Sequence, residues 1–151
     1  MNDFLGEYES TLDAKGRFLL PVGFKKQLLG KKGSSQFIIN RGFEKCLSLY
    51  PIHSWEPIFN KINTLNDFDP EVRAFRRYFL NGATSLGLDT AGRLLIPKSL
   101  MEYANLSKDI VLSAAINKIE IWGKQQYQQL FENFSPSVFS DLAKNVMNNK
   151  D

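Results

Sequence analysis

The chain has 151 residues, 43% of them hydrophobic and 13% aromatic, enough for a core that hides roughly 68–70% of the unfolded surface. Intrinsic disorder and a disulfide-held miniprotein are thereby excluded. Its 19 lysines and arginines against 16 acidic residues leave a net charge of only +3, so bulk charge by itself does not argue for nucleic acid.

The surplus is unevenly placed. Residues 1–80 carry 12 basic and 9 acidic side chains and the remainder 7 and 7, which directs the search for an anionic partner to the first part. One cysteine, Cys46, and one histidine, His53, supply neither a zinc site nor a disulfide framework. No apolar run reaches the ~18 residues of a membrane span, and Met-Asn-Asp-Phe-Leu-Gly at the start lacks a signal peptide's regions. A soluble cytoplasmic protein without cofactor, metal or small-molecule substrate is expected.

The chain repeats itself. Ser10-Thr-Leu-Asp-Ala-Lys-Gly-Arg-Phe-Leu-Leu-Pro21 aligns with Leu86-Gly-Leu-Asp-Thr-Ala-Gly-Arg-Leu-Leu-Ile-Pro97 at a fixed offset of 76. In each copy a short strand ends at Leu12 or Leu88, Asp-x-x-Gly forms a tight turn, and a second strand, Arg17–Leu20 or Arg93–Ile96, runs into proline. Pro21 and Pro97 have no N–H for a sheet and a φ suited to a helix start, so a short helix follows. Phe24 and Leu28 there align with Leu100 and Ala104. Two more strands close each copy, Phe37–Asn40 with Cys46–Tyr50 and Ile110–Ala114 with Lys118–Trp122. Trp55 and Phe59 then fall on Tyr127 and Phe131.

The predicted class is therefore α+β, two pseudo-symmetric β-β-α-β-β repeats with additional helices. A unit this small cannot hide both faces of its strands, so the repeats are expected to pair into one core. Expected boundaries are 5–52 for repeat one, 53–81 for a helical connector, 82–125 for repeat two and 126–151 for a helical tail. In the connector, Trp55, Ile58, Phe59 and Ile62 predict a helix capped by Ser54. Asp69-Pro70-Glu71 opens a second helix with the stripe Val72, Phe75 and Phe79, and Gly82 closes it. Ser135-Pro136 starts an amphipathic tail with Val138, Phe139, Leu142 and Val146, ending in a polar 148–151.

Nothing points to catalysis. Cys46 begins an apolar strand and His53 lies at a helix entrance, with no third group spaced to orient the imidazole, so a buried thiol and an ordinary surface histidine are expected. No phosphate loop or nucleophile elbow occurs. The informative constellation is the doubled Asp-x-x-Gly-Arg. On one reading Asp13 and Asp89, with Gly16 and Gly92, structure the turns and pair with Arg17 and Arg93. On the other, a narrow hairpin enters a major groove, where Arg bridges guanine O6 and N7 and Lys meets phosphate. Lys15 marks the first tip and Ala91 the second, which makes the two unequal. Arg73, Arg76 and Arg77 form a cationic patch at i, i+3, i+4, open to a solvated, intersubunit or phosphate-contact role.

Gly6-Glu-Tyr-Glu-Ser-Thr-Leu-Asp-Ala-Lys-Gly-Arg17, Asn40-Arg-Gly-Phe-Glu-Lys-Cys-Leu47, Ala74-Phe-Arg-Arg-Tyr-Phe-Leu80 and Leu88-Asp-Thr-Ala-Gly-Arg-Leu-Leu-Ile-Pro97 together resemble the MraZ family of regulators with two tandem SpoVT-AbrB-type domains. The resemblance covers roughly residues 4–132. It implies an AbrB-like swapped-hairpin barrel and binding of double-stranded DNA through the hairpins that carry Arg17 and Arg93, to which the reading of the first tip adds Lys15. It also implies homo-oligomeric rings and action, at the nucleoid, on promoter repeats of the bacterial division and cell-wall gene cluster. Departures occur after Pro21, where Val22-Gly-Phe-Lys25 replaces the family's common Ala-Lys-Phe-Arg, and at Met101, where the family often has Arg. The first moves or removes a basic group in the repeat-one helix, and the second, with Ala91, predicts that repeat two is more scaffold than reader. The competing function is a non-enzymatic assembly module without sequence-specific DNA binding.

Overall fold

The structure, a computed structural model, describes residues 4–28, 35–132 and 134–148. Positions 149–151 of the expected polar tail end lie outside the described residues. Repeat one comprises β1 (Glu7–Thr11), β2 (Arg17–Leu19), α1 (Val22–Gln27), β3 (Gln36–Arg41) and β4 (Leu47–Pro51). The connector holds α2 (Ile52–Asn63) and α3 (Pro70–Asn81). Repeat two comprises β5 (Thr84–Gly87), β6 (Arg93–Leu95), α4 (Lys98–Tyr103), β7 (Asp109–Ala114) and β8 (Ile119–Gly123), followed by α5 (Lys124–Glu132) and α6 (Pro136–Met147). Among the described residues no helix is long and apolar enough to cross a membrane.

The strands exchange partners between repeats. One antiparallel sheet runs β1-β7-β8-β4-β3-β5 and a separate ribbon pairs β2 with β6, so only β3–β4 and β7–β8 are pairings within a repeat. In the ribbon Phe18 opposes Leu94, its own counterpart in the other repeat. At the sheet centre Ser48 opposes Glu120, again its counterpart. A pseudo-twofold axis therefore passes through both pairs. Two expectations change here. β1 and β2 form no ladder with each other, because the turn between them is a corner that carries the chain from the sheet into the ribbon. The ladders of the described residues also leave β1 and β5 as sheet edges, so the barrel expected from the resemblance is not closed by hydrogen bonds.

The core explains the exchange. Phe18, Phe24, Phe37, Ile39, Leu47 and Leu49 from repeat one meet Leu94, Leu100, Ile110, Leu112, Ile119 and Ile121 from repeat two, all fully buried. Neither half alone supplies two layers to sandwich its apolar face. Phe24 and Leu100 are the buried residues of α1 and α4. Beside Phe24 the Tyr8 ring stands edge-on at 4.8 Å, and a Cβ on Gly23 would overlap the Tyr8 hydroxyl end. Gly23 thus permits a close approach of β1 to α1, despite costing ~1 kcal/mol against Ala in helix propensity. Gly23→Ala should accordingly lower the melting temperature, overpacking of ~1–3 kcal/mol outweighing that gain. A stabilised variant in a thermal melt would show that Tyr8 yields instead.

Helix α2 starts earlier than expected. Pro51, the last residue of β4, is also its N-cap, and Ser54 lies inside the helix, because proline's φ of −59° already feeds the helix. His53 is half-buried, not a plain surface residue, and both ring nitrogens lack a protein partner. Helix α3 matches expectation: the Asp69 side chain accepts from the Glu71 N–H, Pro70 follows and Gly82 is the C-cap. Its far end is received by Asn40, whose side-chain amide donates to the Phe79 carbonyl at 2.7 Å. The Phe79 ring stacks on Trp55 at 5.8 Å. Helix α6, capped by Ser135, has the same start, and like α3 it has no fully buried residue.

The turn between β7 and β8 holds one strained residue. Ile116 has φ of +69°, a left-handed conformation that costs a β-branched residue ~1–2 kcal/mol, while its side chain stays exposed. Ile116→Asn should raise stability by about 1 kcal/mol, since asparagine tolerates that conformation and little burial is lost. Chemical denaturation checks this; an unchanged or lower midpoint would place a compensating contact on the isoleucine.

Candidate nucleic-acid interface

The two corners are built alike. Asp13 Oδ1 accepts from the Lys15 and Arg17 N–H groups at 3.0 and 2.9 Å, and its Oδ2 takes the Arg17 Nε at 2.8 Å. Asp89 Oδ1 accepts from Ala91 and Arg93 N–H, both at 2.9 Å, and Oδ2 takes the Arg93 Nε at 2.9 Å. Gly16 and Gly92 close the turns with φ of +87° and +78°, a conformation glycine adopts without penalty. The Arg17 N–H above all, then its guanidinium and the Lys15 N–H, hold the Asp13 carboxyl down to about 2. Asp89 is lowered by the equivalent Arg93 contacts. Because both are depressed, this contribution to the corners is complete above the ordinary carboxylate range. It is lost only as the pH falls through the lowered values, near 2 for Asp13.

Each corner is completed by the other repeat. The Leu20 N–H donates to the Gly92 carbonyl at 3.1 Å and the Ile96 N–H to the Gly16 carbonyl at 3.0 Å. A Cβ on Gly16 would meet Met101 Sδ of α4 at 2.9 Å, and one on Gly92 would overlap the Lys25 ammonium of α1. Lys25 and Met101 are repeat counterparts, so the second corner, bare at Ala91, receives its lysine from repeat one. Each corner then has one lysine and one arginine, although the sequence alone shows a lysine only at the first. The repeat alignment pairs Lys25 with Met101, but the cross-repeat placement depends on the β2–β6 pairing, which no local pattern reveals.

Alternation along the ribbon puts Phe18 and Leu94 inward and Arg17, Leu19, Arg93 and Leu95 outward. Leu19 opposes Arg93, and Leu95 opposes Arg17. Among the described residues the Nη groups of Arg17 and Arg93 have no protein partner, only Nε being held. Each guanidinium is thus anchored at Nε, and its outer edge remains able to make two parallel hydrogen bonds.

The third arginine group is placed elsewhere. The Arg76 guanidinium pairs with Asp67 and donates to the Ile62 and Leu65 carbonyls at 3.1 and 3.0 Å, and Arg73 donates to the Asp67 carbonyl at 2.9 Å. Both bind the elbow between α2 and α3. Arg77 is exposed, and among the described residues no ion pair involves it. Cys46 is fully buried and burial pushes its thiol up to about 12, which keeps it protonated and unreactive.

Fold and site together define a class: two fused β-β-α-β-β repeats that present aspartate-braced cations on a twofold ribbon. The family model described as "MraZ protein, putative antitoxin-like" matches residues 4–78 and 79–149. The transcriptional regulator MraZ of Christiangramia forsetii is 44% identical over 152 aligned positions, covering 100% of this chain and 97% of that protein. The MraZ regulators of Flavobacterium psychrophilum and Cytophaga hutchinsonii are 43% and 41% identical, covering 99% and 97% of this chain and 94% and 96% of theirs. The chain belongs to the MraZ family of transcriptional regulators, which are not enzymes.

Proposed function

We propose that this regulator binds double-stranded DNA sequence-specifically through the β2–β6 ribbon. Arg17 and Arg93 read base edges, Lys15 and Lys25 contact phosphates, and Asp13, Gly16, Asp89 and Gly92 keep the corners closed. The observation that carries the reading is the pair of guanidiniums set diagonally across one exposed face of the ribbon, each held at Nε by its own aspartate and with its Nη edge unoccupied among the described residues. A two-stranded ribbon is narrow enough for a major groove. The targets, following the resemblance, are promoter repeats of the division and cell-wall gene cluster including its own gene, in the cytoplasm at the nucleoid. The 5–52 and 82–125 units form the reader, 53–81 and 126–151 its helical additions.

Assembly into a homo-oligomeric ring is part of the proposal. It is supported by an apolar groove of about 340 Å³ between α2, α3 and the neighbouring turns, lined by Phe43, Tyr50, Ile58, Phe75 and Phe79, and by the unburied stripe of α6. Apolar faces of this kind mark interaction surfaces, and closed symmetry hides them. Arg77 then serves an intersubunit or phosphate contact, while Arg73 and Arg76 remain with the elbow.

The test is footprinting and titration on DNA upstream of the chain's own gene. Binding should exceed that to unrelated DNA and weaken steeply with salt. Lys15→Ala and Lys25→Ala should each weaken all DNA alike and reduce the log–log salt slope by about 1 per binding unit. Absence of either the preference or the salt dependence favours the assembly-module reading. A sequence-selective loss in either variant would make that lysine a base reader.

A further inference from the structure

Leu19 and Leu95, the last residues of β2 and β6, are 56% and 51% exposed on the ribbon's outer face. No fold requirement places them there, since Phe18 and Leu94 already supply the ribbon's inward contacts. They are repeat counterparts related by the pseudo-twofold axis, and each stands directly across from the other repeat's arginine. The face therefore presents two apolar groups and two guanidiniums in a twofold array. A protein surface that must lie against DNA meets one apolar group on the major-groove base edges, the thymine C5-methyl. Arginine finds its match in guanine, leucine in that methyl.

We infer that Leu19 and Leu95 are specificity residues that pack on thymine methyl groups, one on each strand of the operator. This rests on the DNA-binding reading above and adds what the ribbon selects. Diagonal neighbours on an antiparallel pair are roughly 7–8 Å apart, and base pairs rise by about 3.4 Å. The two methyls should thus lie about two base-pair steps apart, with the strand exchange that the pseudo-twofold imposes. Arg17 and Arg93, across from the leucines, place their guanidiniums over the adjoining pairs.

The full-length protein is titrated with its footprinted upstream DNA, in which single thymines are replaced by deoxyuridine, removing only the methyl. The wild type should lose roughly three- to fivefold in affinity at two thymines on opposite strands of a bound repeat, the worth of one buried methyl, and nothing at the other thymines of that repeat. Leu19→Ala should lose a similar factor on the thymine operator and become indifferent to uracil at one of those positions; Leu95→Ala should do so at the other. Wild-type binding that prefers the operator yet ignores every uracil overturns the inference and leaves DNA binding intact. Equal losses by the alanine variants on thymine and uracil DNA also overturn it, assigning the leucines to contacts between copies of the chain. No preference for the operator in the wild type overturns the DNA-binding reading and this inference together. The uracil arm needs only wild-type protein, so it decides even where a variant does not fold.

Discussion

Arg17→Ala should abolish selective binding to the upstream DNA while the protein keeps its melting transition. A bidentate arginine contact to guanine is worth ~1–3 kcal/mol of discrimination, and the loss recurs at each copy bound to a repeated operator. The fold survives for a specific reason. The carboxylate of Asp13 still receives the Lys15 and Arg17 backbone N–H groups, and the Asp13 N–H still donates to the Arg17 carbonyl at 2.9 Å. The guanidinium pair is an exposed ion pair, and such pairs contribute little to stability. Gel-shift titration and circular dichroism on the same preparation check both halves. A folded variant that binds like the wild type moves the reader away from this corner. Arg93→Ala should behave similarly, because Lys25 makes the second corner as cationic as the first.

Phe59→Glu should give a folded species of lower mass that loses most of its affinity for an operator array and little for one element. A single ribbon covers a small footprint and binds one element weakly. Linking several ribbons makes each later contact intramolecular, with gains of ~10²–10⁴ in apparent affinity when spacing matches. Phe59 is the better probe than Phe79: it is 43% exposed on α2, whereas Phe79 stacks between Trp55 and Phe75, so a charge there attacks the fold. Sedimentation and binding to one-repeat and many-repeat DNA read the outcome. A monomer that holds the array as tightly as the oligomer would remove the multivalent mechanism.

The corners are legible in the amino-acid sequence because their chemistry is local. An aspartate, a glycine three residues on and an arginine one further can satisfy each other within a single turn, whatever the rest of the chain does. Helix α3 is legible for the same reason, Asp69, Pro70 and Gly82 acting through neighbouring backbone groups. Where two nearby signals compete for one helix start, sequence does not choose between them. Ser54 resembles a helix cap, but Pro51 three residues earlier already has helix-entering geometry at the end of β4.

Sequence alone therefore determined the repeat, its turns, the strand-to-helix switches at Pro21 and Pro97, and the arginines they carry. Tertiary structure decided which strand each one joins. Local patterns specify which face of a strand is apolar, but not which of several apolar partners it meets, and only the shared core of the two repeats selects β1–β7, β2–β6, β3–β5 and β4–β8. From that choice come the features no motif announces. Lys25 stands in the other repeat's corner, and Leu19 and Leu95 share an outward face with Arg17 and Arg93. Pairing across 76 positions is a long-range event governed by burial, and burial is a property of the whole chain.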